Sequence, residues 1–247
     1  MVLSQSVFNG SFWTSLSNVR AYIFLGMVMV VACPLVLLMQ NSYQIAYQRE
    51  LNKVEQSHLV IAENLASSLD RYATDMKAAF DFVAENEGRA FALGSLSQLL
   101  EAYSFRMVAI VDSDNSNIEK LYEREFSVPS LEVLDSLREM ATNETSTLSG
   151  VQSSPHGPVI YVARLSPAGT LVFGAVDTSY FVEQQMKIAL GDRGHAMIVD
   201  HRGRVIAHPK KEWTETSKDV SGLAVVQRMT SGQTGVLQFS LPLLRLM

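Results

Sequence analysis

Three different patterns of hydrophobic positions follow one another along the chain. Ala21 to Met39 is an apolar run of 19 residues without a charge. Over residues 42–90, apolar positions then recur every three or four residues, which is typical of one face of a helix. After Gly88, short β-rich runs alternate with turn residues. The pattern predicts an α+β protein with an apolar N-terminal helix, a long second helix and antiparallel sheets.

The apolar run has the length of a membrane span. At ~1.5 Å per residue, a helix of this length reaches about 28 Å, close to the ~30 Å hydrocarbon core of a bilayer. We therefore predict a transmembrane helix over residues 21–39, preceded by a cytoplasmic N-terminus of residues 1–20.

Three other interpretations of this run stay open: a cleaved signal peptide, a lipoprotein signal and a buried helix of a soluble protein. A signal peptide has an apolar region of about 7–15 residues, and this run is longer. Apolar residues also continue beyond Cys33, where a lipoprotein motif would end. Arg20 on one side is balanced by Arg49 and Lys53 on the other, so the positive charges do not decide the orientation.

The long helix predicted over residues 42–90 has one apolar stripe and two interpretations. In the half that is further from the membrane, the stripe is expected to pack on the chain's own domain. In the half near the membrane, it is expected to pair with a second copy as a coiled coil, which predicts a homodimer through this stalk helix.

The β-rich part of the chain reads as strands and short helices. For the helix predicted over 178–190, Asp177 is the predicted N-cap and Gly191 is the residue at which the helix is expected to end. The predicted strands are 107–111, 118–122, 147–151, 159–165 and 171–176, of which the last two form a hairpin, and the predicted helices are 129–141 and 178–190.

An internal repeat divides this part into two lobes. Ile110 to Asp112 and Ile198 to Asp200 are both I-V-D, and each is followed by a residue that tolerates a left-handed backbone, Asn115 or Gly203. Later, Ser149-Gly150-Val151 is echoed by Thr234-Gly235-Val236. Two echoes in the same order predict tandem lobes over residues 91–190 and 191–247. Too few residues follow the second echo for two further strands, so the second lobe is expected to be incomplete.

The stretch from Gly191 to Pro209, with its V-D-x-x-G turn and A-H-P ending, resembles one family. Together with Trp213 and the S-G-Q-T-G-V run from Ser231 to Val236, it is similar to the second lobe of double Cache sensor domains of bacterial transmembrane receptors. The resemblance implies two PAS-like lobes outside the cytoplasm, with the chain held in the inner membrane. It also implies a second membrane helix and a histidine kinase, diguanylate cyclase or chemoreceptor output, both of which we expect this chain to lack.

The resemblance further implies that the first, membrane-distal lobe senses a small extracellular molecule, an amino acid or an organic acid. Asp177 resembles the Asp that holds a ligand's amine in the amino-acid-sensing subset, and a helix cap is its structural alternative. Tyr122 and Arg124 lie where the Tyr and Arg elements of that subset fall, although the R-x-W-Y motif is missing. The alternative function is a membrane-tethered coiled-coil interaction module without a small-molecule ligand.

Strand alternation places Tyr161 on the same face as Val159 and Ala163, so it is either core or pocket lining. Arg164 then points to the opposite face, where we expect it to be solvated.

Composition excludes several other functions. The net charge of −5 gives no basic surface for nucleic acid. His195, His201 and His208 do not have the spacing of a metal site, and no P-loop or G-x-S-x-G motif is present. We therefore expect no cofactor, no metal and no enzymatic activity.

Overall fold

The computed structural model describes residues 11–85, 95–115, 117–166, 169–190 and 194–235. The chain divides into two compact units, Met1–Ser57 and His58–Met247. The helices of the described part are α1 (Ser11–Glu85), α2 (Ser95–Ala102), α3 (Leu131–Met140), α4 (Ser179–Met186), α5 (Lys211–Glu215) and α6 (Ala224–Thr230), and its strands are β1 (Phe105–Val111), β2 (Ile118–Glu123), β3 (Thr147–Ser154), β4 (Gly157–Leu165), β5 (Leu171–Asp177), β6 (Ala189–Leu190), β7 (Gly194–His195), β8 (Ile198–Val199) and β9 (Val205–Ala207).

The first part of α1 is an exposed apolar surface. Every side chain from Ala21 to Met39 is exposed, and α1 continues through Pro34 as a helix. In the described part of the chain, this helix alone is long and apolar enough to cross a membrane. An apolar surface of this size needs a lipid or protein cover in water.

A five-stranded antiparallel sheet forms the centre of the first lobe, in the order β2-β1-β5-β4-β3. The predicted hairpin of β4 and β5 is confirmed, with Val159 opposite Asp177 at one end and Leu165 opposite Leu171 at the other. The sheet and its helices confirm the predicted α+β, PAS-like (Cache) fold class, with a long helix and antiparallel sheets.

Each face of this sheet is covered by a different layer. On one face, α3 contributes Leu134 and Leu137 to a core with Met107, Tyr161 and Phe173. On the other face, α1 and α2 pack against alternate residues of the same strands. That second core includes Met76, Phe80, Val83, Leu100, Val108 and Val162.

The second half of α1 therefore packs on the chain's own domain, as its apolar stripe predicts. Met76, Phe80 and Val83 are at most 2% exposed. Burying a side chain of this kind contributes about 1.5–3 kcal/mol, so these positions hold α1 firmly against the sheet.

Arg164 also holds α1 on this face, and the expectation that its side chain is solvated was wrong. It lies on the predicted side of the sheet, but its guanidinium makes ion pairs of 3.3 Å with Asp81 and 2.9 Å with Glu85 of α1. Its side chain is only 16% exposed, because the helix covers it.

The second lobe repeats the turn that follows the I-V-D sequence of the first. Asn115 and Gly203 both have a left-handed backbone, with φ of 58° and 78°. The N–H of each donates to the carbonyl of the Asp three residues earlier, Asp112 or Asp200, at 3.0 Å. Gly203 is also sterically required, since a Cβ there would lie 2.8 Å from the backbone of Ser221.

The second predicted helix of the first lobe is shorter in the structure than the sequence predicts. The helix predicted over 178–190 ends at Met186, because Ala189 and Leu190 form a short antiparallel pairing with Gly194 and His195. Several predicted features lie outside the described residues. They are the end of the long helix near Gly88, the closing Gly191 and the incomplete end of the second lobe over residues 236–247.

Candidate functional site

Asp177 is the last residue of β5, and its two carboxylate oxygens accept hydrogen bonds from different partners. One oxygen accepts a hydrogen bond of 2.6 Å from the Arg106 guanidinium, and the other accepts one of 2.6 Å from the backbone N–H of Ser179. Burial alone would raise the pKa of Asp177, but the hydrogen bonds from Ser179 and Arg106 outweigh it and leave the pKa below its usual value. Asp177 is thus a carboxylate at neutral pH, but it is not the predicted N-cap, because the N-cap position of α4 is Thr178.

Arg106 is the partner that sequence reasoning missed. The pairing of β1 with β5 shifts by one residue between Phe105 and Met107, so Arg106 sits in a β-bulge. A bulge turns the side chain of the extra residue out of the regular alternation. The signal in the sequence was a single charge in the otherwise apolar strand F-R-M-V-A-I-V.

Tyr161 lies in the core on the α3 face. It is 3% exposed, and its ring meets the edge of Phe173 with centroids 6.3 Å apart. Burial raises the pKa of its hydroxyl to about 12. Strand alternation places Tyr161 and Asp177 on the same face, since they pair with Ala175 and Val159 at positions two apart in one register.

Tyr122 and Arg124 are not brought to that face. Tyr122 pairs with Val108 and packs with the α1 side of the sheet, where burial and then the nearby Glu101 carboxylate raise the pKa of its hydroxyl. Arg124 forms an ion pair with Glu101, and both side chains are more than half exposed. Tyr161 and Asp177 therefore share one face of the sheet, whereas Tyr122 and Arg124 lie at the end of β2 beside Arg106, whose carbonyl accepts a hydrogen bond of 2.7 Å from the Arg124 N–H.

The Asp177 and Arg106 pair offers complementary charges to a small polar molecule. A carboxylate of this kind holds an ammonium group, and a guanidinium holds a carboxylate with two parallel hydrogen bonds. The pair is partly open to solvent, with 36% of the Arg106 side chain and 20% of the Asp177 side chain exposed. In the described part of the chain, no group of three His, Cys, Asp or Glu side chains is placed to hold a metal ion.

A second feature of the first lobe is a polar cleft beside Tyr72, with a volume of about 370 Å³. The Tyr72 hydroxyl donates to the carbonyl of Tyr103 at 2.9 Å. The residue after Tyr103, Ser104, accepts a hydrogen bond of 3.0 Å from the N–H of Asp177, so the cleft wall and the Asp177 site are adjacent. The cleft is lined by Asn64, Ser67, Ser68, Arg71, Tyr72, Asp75, Tyr103 and Tyr180.

Both lobes meet α1 in one apolar cluster, the junction cluster. It contains Tyr72 of α1, Val151 and Ile160 of the first lobe, and Ile198 and Ile206 of the second lobe, with Phe181 of α4 beside them. Because each element contributes buried side chains to this cluster, a change in any one of them alters the packing of the others.

In fold, the chain is similar to solved ligand-binding domains of chemoreceptors. The domain of the Pseudomonas aeruginosa PAO1 amino acid chemoreceptor PctB, in complex with L-Gln, is 18% identical with a TM-score of 0.48, covering 67% of this chain and 72% of that chain. The domain of the Pseudomonas fluorescens chemoreceptor CtaA, in complex with L-valine, is 18% identical with a TM-score of 0.48, covering 69% and 78%. The domain of Mlp24 with asparagine is 14% identical with a TM-score of 0.43, covering 70% and 78%.

The sequence matches no family model and no curated protein. These three solved structures are less than 20% identical to the chain, so the likeness is one of fold.

Proposed function

We propose that the chain is the extracytoplasmic sensory input region of a bacterial membrane receptor, of the histidine kinase, diguanylate cyclase or chemoreceptor type. The observation that carries the proposal is that α1 contains both the apolar run and a segment that packs on the first lobe. The helix that contains the exposed apolar run Ala21 to Met39 also packs Met76, Phe80 and Val83 on the sheet of the first lobe. A change in that packing acts directly on the helix that continues from the anchor.

The Asp177 end of the sheet is the ligand site in this proposal. Asp177 takes the ammonium group of an amino acid, and Arg106 takes its carboxylate, each giving up part of the hydrogen bond between them. An organic acid would use Arg106 alone. Tyr161 lies in the core on the same face of the sheet, and Arg124 lies beside Arg106 through their backbone hydrogen bond.

The proposed location follows from the same helix. Residues 21–39 cross the inner membrane once, residues 1–20 remain in the cytoplasm, and the two lobes lie outside it. The part of α1 near the membrane has exposed apolar side chains, including Ile45, Val54 and Val60. Their exposure supports pairing with a second copy, so the receptor is a homodimer through α1.

Thermal denaturation of the full chain in lipid nanodiscs tests the sensory role. A ligand that binds only the folded state raises the melting temperature in proportion to the logarithm of its concentration. We expect at least one of the twenty amino acids or a panel of organic acids to raise it in the wild type and not in Asp177→Asn. A panel in which no compound raises the melting temperature of the wild type would remove the sensory proposal.

One observation favours a second function, a membrane-tethered interaction module without a small-molecule ligand. The sheet face that carries Tyr161 is densely packed, with Tyr161, Phe173 and Leu137 at most 3% exposed. Because this face is filled, contacts with a partner are made by the outer surfaces of the lobes and not by a site in their interior. The two functions differ in the nanodisc experiment, because an interaction module gives no thermal shift with any small molecule and still forms the α1 homodimer.

A further inference from the structure

The polar cleft beside Tyr72 carries charges of both signs that form no ion pair with the residues that the structure describes. Arg71 and Asp75 are exposed on α1 and line the cleft together. Among the described residues, neither of them makes an ion pair. By contrast, Arg106, Arg124 and Arg164 all pair with carboxylates.

The order of the two residues explains why they do not neutralise each other. They are one turn apart on α1, where side chains are about 5–6 Å apart at Cβ. An acidic residue before a basic one is the favourable order for such a pair, and here Arg71 precedes Asp75. The two charged groups are thus neighbours on one helix face and remain available to a third group.

Aromatic rings form the inner wall of the cleft and fix its shape. The Tyr72 and Tyr180 rings are stacked with centroids 3.8 Å apart and planes 10° apart. Tyr103 is tilted against Tyr72 with centroids 5.9 Å apart. The Tyr72 hydroxyl also donates a hydrogen bond to the Tyr103 carbonyl. Burial raises the pKa of this hydroxyl to about 12.

The volume of about 370 Å³ lies at the lower end of the range for small-molecule sites. The polar groups along the α1 side are both donors and acceptors, from Asn64, Ser67 and Ser68. A cleft with one cation, one anion and an aromatic wall is complementary to a small molecule with both charges and a short apolar part.

We propose that this cleft is a second binding site, separate from the Asp177 site, and that it takes a small zwitterion. The ligand's carboxylate pairs with the Arg71 guanidinium, its ammonium group pairs with the Asp75 carboxylate, and its methylene groups lie against Tyr72 and Tyr180. A purely anionic or cationic molecule of the same size satisfies one of the two charges and leaves the other unpaired.

The cleft is next to the junction cluster, to which both lobes contribute side chains. Tyr72 is a member of the junction cluster, with Val151 of the first lobe and Ile198 of the second. A ligand against Tyr72 therefore stabilises one arrangement of α1, α4 and the two lobes. The site acts on the junction whether or not the Asp177 site is occupied.

Isothermal titration calorimetry on the full chain in nanodiscs tests the proposal. The probes are glycine, β-alanine and 4-aminobutyrate, which increase the separation of the two charges, together with butyrate and butylamine, which carry one charge each. The variants are Arg71→Gln and Asp75→Asn, both of exposed helix residues. Asp70→Asn is the matched control, since Asp70 is exposed on the same helix and does not line the cleft.

We expect at least one zwitterion to bind, with an affinity at least tenfold higher than that of butyrate or butylamine. Arg71→Gln and Asp75→Asn should each weaken it at least tenfold, and Asp70→Asn should leave it unchanged. The exchanged double variant, Arg71→Asp with Asp75→Arg, should not restore binding, since it places the acidic residue before the basic one, the order in which the two side chains pair with each other.

The Asp177→Asn variant separates this site from the proposed sensory site. Binding of the zwitterion that persists in Asp177→Asn and is lost in Arg71→Gln supports the cleft. Binding that is lost only in Asp177→Asn supports the sensory site and overturns the cleft proposal. The proposal is also overturned if no zwitterion binds, if butyrate binds as tightly as 4-aminobutyrate, or if both helix variants bind like the wild type.

Discussion

The carboxylate of Asp200 accepts a hydrogen bond of 2.9 Å from the backbone N–H of Val151, and this bond joins the two lobes. It is made at the point where the pairing of β3 with β4 shifts register, between Leu148 and Val151. The other oxygen of Asp200 accepts from the N–H groups of Arg202 and Arg204, each at 2.9 Å. One side chain thus shapes the turn of the second lobe and completes the hydrogen bonding of the first.

Replacing Asp200 by Ala should destabilise the protein strongly. The change leaves the buried Val151 N–H without an acceptor and removes two further bonds, for a loss of about 3 kcal/mol. The melting temperature in nanodiscs should fall by about 10 °C. Asp219→Ala is the control, because Asp219 makes one comparable bond to the N–H of Ser221 at an exposed turn. Equal losses in the two variants would contradict a linking role for Asp200.

Gly150 should be required for the same contact. A Cβ at this position would lie 2.6 Å from the Asp200 carboxylate, so Gly150→Ala forces that carboxylate away and should cost about 1–3 kcal/mol. In the Asp200→Ala background the same change should cost much less, a difference that a double-mutant cycle measures. Gly222→Ala, where a Cβ meets no atom within 4 Å, is the control. Additive losses from the two changes would show that the residues act independently.

The Asp177 and Arg106 ion pair should make stability depend on acidity. The pKa of Asp177 is lowered in the folded protein, so its contribution is complete above the unfolded value of about 3.9 and is lost as the pH falls through the folded value. Asp177→Asn should therefore be less stable than the wild type by about 1 kcal/mol near neutral pH. The difference, measured from denaturation curves, should shrink as the pH falls below about 4. A difference that stays constant down to pH 2 would argue against the ion pair.

His208 should add a second pH dependence nearer to neutrality. Burial, and then the nearby His195 and Lys210, lower the pKa of its imidazole. Its Nδ1 accepts a hydrogen bond of 2.9 Å from the Lys210 N–H, and its ring stacks on Trp213 with centroids 4.4 Å apart. The hydrogen bond requires an unprotonated Nδ1, so it contributes fully above the unfolded pKa of about 6.5 and less as the pH falls below it.

Melting temperatures measured between pH 8 and pH 5 test this dependence. The wild type should lose stability on acidification, and His208→Gln should lose less over the same range, although it starts lower. His58→Gln is the control, since His58 is exposed on α1, and it should keep the slope of the wild type. An unchanged slope in His208→Gln would assign the acid sensitivity to other groups.

The local features of the fold could be predicted from the sequence because each depends on neighbouring residues. The left-handed turns at Asn115 and Gly203 follow from residue type, and the α3 face of β4 follows from alternation through Val159 and Tyr161. The end of α4 at Met186 was missed, because the short pairing of Ala189 with His195 competes with helix propensity and involves residues outside the predicted helix.

The sites were harder to predict, since they depend on register and on distant segments. Arg106 reaches Asp177 only because a bulge shifts β1 against β5, and no sequence pattern specifies that shift. The stripe of α1 was predicted, but the partners of Arg164 were not, because Asp81 is 83 residues away. The cleft likewise joins Tyr72 to Tyr180 across 108 positions of the chain, so only the tertiary structure reveals it.

Hydrogen–deuterium exchange of the full chain in nanodiscs tests the sensory proposal most directly. The exchange is compared with and without an equimolar mixture of the twenty amino acids and common organic acids. We expect slower exchange at the end of β5 and the start of α4, around Asp177 and Ser179, and a change that continues into α1 around Met76 to Val83. Identical exchange in both samples, at the Asp177 site and along α1, would contradict a sensory function.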